Sequence, residues 1–122
     1  MKTSYQRGQQ AEQQAAQFLS QQGLNILDTN FRYQRGEIDI IAQQAEKLIF
    51  VEVRYRQHSA YGDGLESITP IKRHRLINTA RFYLWKTRQQ ERNCRFDVIS
   101  IDKQNIVTWI QGAFHIDYAT VF

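Results

Sequence analysis

The chain has 122 residues, 42% of them hydrophobic and 23% charged, with seven Phe, six Tyr, two Trp, one Cys and a net charge of +4. That apolar content excludes a disordered chain, and the length suits one domain over residues 1–122 that buries roughly two-thirds of its unfolded surface. A lone Cys94 excludes an internal disulfide framework, the opening MKTSYQRGQQ has no apolar signal core, and the apolar run Leu48-Ile49-Phe50-Val51 falls far short of a membrane span, so a cytoplasmic location is expected.

Residues 4–22 read as a helix, with Ser4 as its N-cap and Gly23 as its glycine stop. At 100° per residue, Tyr5, Gly8, Ala11, Ala15, Ala16, Phe18 and Leu19 fall on one apolar face, and Gln9, Gln13, Gln17 and Gln21 lie on the wet one. Residues 24–33 form a first strand, interrupted at 28–30. Residues 37–42 and 48–55, rich in Ile, Val and Phe, form two stronger ones. A loop over 57–67 follows, holding His58 and the turn-like Tyr61-Gly62-Asp63-Gly64. Thr69-Pro70 starts a second helix with proline at its first position, running to about Arg88. Residues 95–101 and 105–110 close the pattern as strands, and 112–122 stays unassigned. The order α-β-β-β-α-β-β predicts an α/β fold with a mixed central sheet flanked by helices.

Acidic residues stand where apolar ones belong. Glu12 falls in the middle of the first helix's apolar face, where an unpaired carboxylate costs several kcal/mol and needs a cationic partner, a proton or a metal. Arg32 or Arg35 is the structural alternative. In the strand from Glu37, period two puts Ile38 and Ile40 on one face and Glu37, Asp39 and Ile41 on the other. In the next strand Glu52 and Arg54 share a face with Leu48 and Phe50. A hairpin centred between Ala45 and Glu46 makes Asp39 and Glu52 directly opposed, with Cβ atoms roughly 5 Å apart. Two carboxylates that close need a cation between them or a shared proton. Hard oxygen ligands on a rigid sheet suit Mg²⁺ or Mn²⁺ rather than zinc. The alternative is a charged hairpin in which Arg54 pairs with the acids.

Charge is also segregated. Residues 72–95 carry eight Lys and Arg against Glu91 alone, whereas the rest of the chain is net acidic, the pattern of a polyanion binder. The second helix buries Leu76, Ile77, Ala80, Tyr83 and Leu84 and leaves Ile71, Phe82 and Trp85 among cations on its other side. Such aromatics can stack on unpaired bases; a homodimer interface, or cover by the C-terminal segment, is the preferred expectation. Cys94 reads as a small core residue, and His58, His74 and His115 have no zinc spacing.

An acid ending a hairpin strand followed by E-x-K on the next resembles the PD-(D/E)xK nuclease superfamily. Here the pieces are Asp39 and Glu52-Val53-Arg54, with Glu12 on the preceding helix as in the Holliday-junction-resolvase branch. The whole chain is similar to the YraN-type bacterial family, through Gly8, Ala11-Glu12, Asn30-Phe31-Arg32, Gly36-Glu37-Ile38-Asp39, Phe50-Val51-Glu52-Val53-Arg54-Tyr55-Arg56, Lys72 and Arg95-Phe96-Asp97-Val98. The resemblance implies a restriction-endonuclease-like (tRNA-endonuclease-like) fold and an endonuclease using Mg²⁺ or Mn²⁺. Asp39 and Glu52 would be metal ligands with the Val53 carbonyl as a third, and Glu12 would orient water or complete the outer shell. Arg56, Lys72, Arg73 and Arg75 would meet the nucleic acid, DNA in preference to RNA. Arg54 departs from the lysine of E-x-K. A guanidinium keeps its proton at physiological pH, so it offers charge to a phosphate but accepts no proton. A nucleic-acid-binding module that cuts weakly or not at all, and a protein-interaction domain, are the alternatives.

Overall fold

A computed structural model describes residues 2–56 and 68–114. Helix α1 spans Ser4–Gln21, and its N-cap is Thr3 rather than Ser4. Thr3 wins because Gln6 stands three residues on: the Thr3 hydroxyl accepts from the Gln6 amide, and the Gln6 side chain accepts from the Thr3 amide, closing a capping box. Gly23, at φ 92°, stops the helix as expected. The buried stripe is Ala11, Ala15 and Leu19; Tyr5, assigned to the apolar face, is exposed instead, six residues before the first buried position, and its hydroxyl accepts from the Gln9 side chain.

Strands β1 (Asn25–Tyr33), β2 (Gly36–Gln44) and β3 (Lys47–Arg56) follow, then helix α2 (Pro70–Lys86), β4 (Cys94–Asp102) and β5 (Val107–Phe114), in the order the sequence predicts. The sheet order is β1-β2-β3-β4-β5, with only β3 and β4 parallel. Helix α2 makes that crossover, since parallel neighbours cannot be joined by a tight turn. Its N-cap Thr69 accepts from the Lys72 amide. Strand β5 runs to Phe114, further than the sequence suggested, because the buried Asp97 of β4 accepts from the Gly112 amide and Phe114 stacks on Phe96.

Two cores sandwich the sheet. Beneath α2 lie Ile38, Ile41, Phe50, Phe96 and Val98 with Leu76, Ala80 and Tyr83 of the helix; beneath α1 lie Ile40, Ala42, Ile49, Val51 and Ile99 with Ala11, Ala15 and Leu19. Ile38 and Ile40 therefore sit in opposite layers, not on one face as period two required. The alternation slips across Asp39. Asn30, between the pairs Thr29↔Ile40 and Phe31↔Ile38, lies across from it with φ 52°, a conformation that asparagine tolerates better than most residues. Cys94 packs at the margin of the α2 core, where burial pushes its thiol up.

Phe82 is not left bare. It stacks on Tyr33 of β1 at 4.0 Å and 9°, so β1 covers one face of its ring, whereas among the described residues Ile71 and Trp85 are exposed. Among the described residues no helix is long and apolar enough to cross a membrane. The expectations for the 57–67 loop and for residues 115–122 lie outside the described residues.

Candidate metal centre and nucleic-acid interface

The β2–β3 hairpin takes the expected register: Gln44 pairs with Lys47 around a two-residue turn at Ala45-Glu46, and the ladder continues to Ile40↔Val51. One step beyond that last pair stand Asp39 and Glu52. The Val53 amide there donates to Asp39 Oδ2 at 2.8 Å, so a side chain takes over the acceptor's role where the regular ladder ends. Asp39 is half-buried and Glu52 is 7% exposed. Burial first, then the charge of Glu52, with a smaller contribution from Glu12, push the Asp39 carboxyl up to about 8 against the Val53 amide, which favours the ionised form.

Glu12 reaches the same place from α1. Its partner is neither Arg32 nor Arg35 but Asn30, whose Nδ2 donates to Glu12 Oε2 at 3.0 Å and to Glu37 Oε1 at 2.9 Å. Arg32 pairs with Glu37 instead, Nε to Oε2 at 3.1 Å. One carboxylate oxygen each from Glu12, Glu37 and Asp39 lie within 4.8 Å of one another. Glu52 stands on the other flank of Asp39, with Lys72 Nζ 3.2 Å from its Oε1 and Arg54 Nε 4.0 Å from the same atom.

Glu37, Asp39, Glu52, Arg54 and Lys72 open into a cleft of about 530 Å³. One wall is the sheet, with Glu37, Asp39, Glu52 and Arg54. The other is the first turns of α2, with Thr69, Lys72 and Arg75. The N-terminus of α2 adds its positive dipole end to that wall. Of the cations that the sequence marked, Lys72 and Arg75 line the cleft. Arg73 instead lies over the Phe114 ring at 5.6 Å, and Arg56 pairs in register with Asp102 near the end of β3. Sequence reasoning missed Asn30 and Glu37 as site residues. Glu37, two positions from Asp39 on an alternating strand, was recognisable; Asn30 became visible only once the β1–β2 register was known.

The model of the uncharacterised protein family UPF0102 matches residues 11–101. A UPF0102 protein of Coxiella burnetii is 42% identical over 112 residues, covering 91% of this chain and 93% of the relative. One from Nitrosococcus oceani is 41% identical over 115 residues with the same coverages, and one from Alcanivorax borkumensis 44% identical over 113, covering 88% and 90%. The matched span carries Glu12, Asp39, Glu52 and Lys72, and it bears out the resemblance to the YraN-type family.

Proposed function

This chain belongs to the uncharacterised protein family UPF0102, and from the geometry of its acidic cleft we propose that it is a divalent-cation-dependent nuclease of the restriction-endonuclease-like fold. Its substrate in this reading is structured or branched nucleic acid, DNA in preference to RNA. The observation that carries the proposal is Asp39. Its carboxyl lies beside Glu52 and shares a 4.8 Å cluster with Glu12 and Glu37, and burial and its neighbour's charge push its pKa up to about 8. Three or four converging carboxylates beside lysine and arginine fit a hard divalent cation facing a phosphate.

When bound, the cation supplies Lewis-acid charge at the scissile phosphate and lowers the pKa of the attacking water. Asp39 and Glu52 hold it, with the Val53 carbonyl as a further donor. Glu12 and Glu37, fixed by Asn30, orient the water. Lys72, with its ammonium 3.2 Å from Glu52, supplies the positive charge that the resemblance gives to the lysine of E-x-K. Arg54, standing at that position, and Arg75 hold phosphate oxygens through charge-assisted hydrogen bonds.

The test is a cleavage panel of blunt duplex, tailed duplex and four-way junction with Mg²⁺ or Mn²⁺. Cation-dependent cutting is expected, lost in Asp39→Asn, with binding retained. No cutting by wild type with either cation, together with no heat of Mn²⁺ binding, overturns the proposal. A nucleic-acid-binding module that does not cut is the second reading, favoured by Arg54 in place of lysine. It requires salt-sensitive binding to the same panel with every substrate left intact.

A further inference from the structure

A groove leads away from the acidic cleft along α2. Lys72, Arg75, Asn78, Phe82 and Trp85 recur every three or four residues and form one continuous stripe of that helix. Opposite the stripe runs the β1–β2 turn, Tyr33 to Gly36. A cavity of about 450 Å³ between them shares Arg35, Gly36 and Arg75 with the acidic cleft. A second, of about 680 Å³, shares Tyr33, Gln34 and Asn78 with the first and ends at Arg81, Phe82 and Trp85. The two cavities are lined by three arginines and no acid, and α2 itself holds five Lys and Arg and no Asp or Glu.

The aromatic end is pre-arranged. Tyr33 and Phe82 are stacked face to face, Trp85 lies 5.8 Å from Phe82, and Trp85 is 63% exposed. An apolar protein partner would offer no matching charge to Arg35 and Arg75. A duplex would present its bases already stacked inside it. A cationic track ending on an open aromatic ring suits a strand whose bases are free to stack.

We propose that this groove binds an unpaired strand of nucleic acid, with its phosphates on Arg35, Arg75 and Arg81 and a base on Trp85, leading it to or from the acidic cleft. The inference rests on the nuclease reading for what happens at the cleft, and adds that the bond attacked lies close to the border between paired and unpaired strand. Lys72 and Trp85 are thirteen residues apart, about 20 Å of helix. At about 3.4 Å per stacked nucleotide, an unpaired arm of about six nucleotides fills the groove and a longer one gains nothing.

Two binding measurements on the full chain test this, in EDTA at about 0.15 M salt. Duplexes that are blunt, or carry unpaired arms of two, four, six and ten thymidines, are compared by affinity. An advantage of about tenfold or more over the blunt duplex, levelling off near six, is expected from one or more stacked bases, and Trp85→Ala should bring that ratio close to one. Oligothymidylate should quench tryptophan fluorescence in wild type and leave Trp85→Phe, with Trp109 as its remaining indole, unquenched. A tailed-to-blunt ratio near one in wild type, with no Trp85-dependent quench, overturns the groove even if the protein cuts junctions. A dimer that Trp85→Ala turns into monomer, with no effect on the ratio, overturns it in favour of a second copy of the chain. The ratio and the quench in EDTA, with every substrate left intact by wild type in Mg²⁺ or Mn²⁺ and no heat of Mn²⁺ binding, uphold the groove and refute the nuclease reading alone.

Discussion

Two cations stand over Glu52, Lys72 at 3.2 Å and Arg54 at 4.0 Å, and they are not equivalent. Lys72 is the third residue of a helix that is capped by Thr69 and packed on the sheet, so its ammonium is delivered by a rigid element. Arg54 is anchored on β3 beside the carboxylate it contacts. Lys72→Ala is expected to lower cleavage about 10²-fold, the loss typical when a donor to transition-state charge is removed. Arg54→Ala should fall by a similar factor and Arg54→Lys should retain or raise the rate. Single-turnover rates at saturating cation check all three. Asp39 brings a pH signature. Its carboxyl rises from the usual 3.8 to about 8 on folding. Below about pH 4 folded and unfolded chains both hold the proton. Between about 4 and 8 only the folded chain does, so stability falls as pH rises; above about 8 both are ionised and the whole cost is present. Denaturant melts of the cation-free protein should show that decline, Asp39→Asn should flatten it, and saturating Mn²⁺ should offset it at the upper end.

At the scale of elements, the contact that sets the cleft's width is β2 against α2. A Cβ on Gly36 would lie 2.0 Å from Thr79 Oγ1 and 2.6 Å from the Arg75 carbonyl oxygen. Thr79 donates to that same carbonyl at 2.7 Å and is fully buried, so neither atom can retreat freely. Gly36→Ala should therefore push α2 off the sheet and cost about 1–3 kcal/mol, read as a lower urea midpoint. Thr79→Ala in the same chain should recover only part, because the carbonyl clash stays. The β4–β5 corner has its own anchor. Asp97, its side chain fully buried, accepts two bonds from Arg95, one from Trp109 Nε1 and one from the Gly112 amide. Asp97→Ala should cost about 3–5 kcal/mol, since it strands a half-buried arginine and two further donors. The elements that could be read from sequence were those whose signals are local. Thr69-Pro70 marks a helix start, and alternation with a two-residue turn fixes the hairpin register that brings Asp39 to Glu52. What stayed hidden depends on a partner strand: the slip between Ile38 and Ile40, and the role of Asn30, follow from the β1–β2 pairing that no local pattern encodes. The Tyr33–Phe82 stack, which covers a ring expected to be bare, is hidden for the same reason.

Across the whole molecule, opposite charges are concentrated rather than blended. Acids gather where β2 and β3 end their ladder, cations line the helix that faces them, and the two meet at the Lys72–Glu52 pair, 3.2 Å apart. On the proposed reading such a field would draw a polyanion to the helix, and a cation would compete with Lys72 and the Val53 amide for the acids they hold. Affinity for duplex should therefore fall steeply with salt. Removing Lys72 or Arg75 should each reduce the slope of log K against log salt by about one, if each neutralises a phosphate. Slopes unchanged by both substitutions would place the nucleic acid elsewhere on the surface.

The Val53 amide turns to the carboxylate of Asp39 instead of to a strand carbonyl, which makes one backbone proton a built-in reporter of the centre. Its NMR resonance should follow the ionisation of Asp39 through the range near pH 8 and shift again as a divalent cation competes for the same oxygen. In Asp39→Ala the proton loses its acceptor, and its exchange with solvent should accelerate while the amides of Ala42 and Ile49, inside the regular ladder, keep their protection. A single amide thus separates loading of the centre from loosening of the sheet.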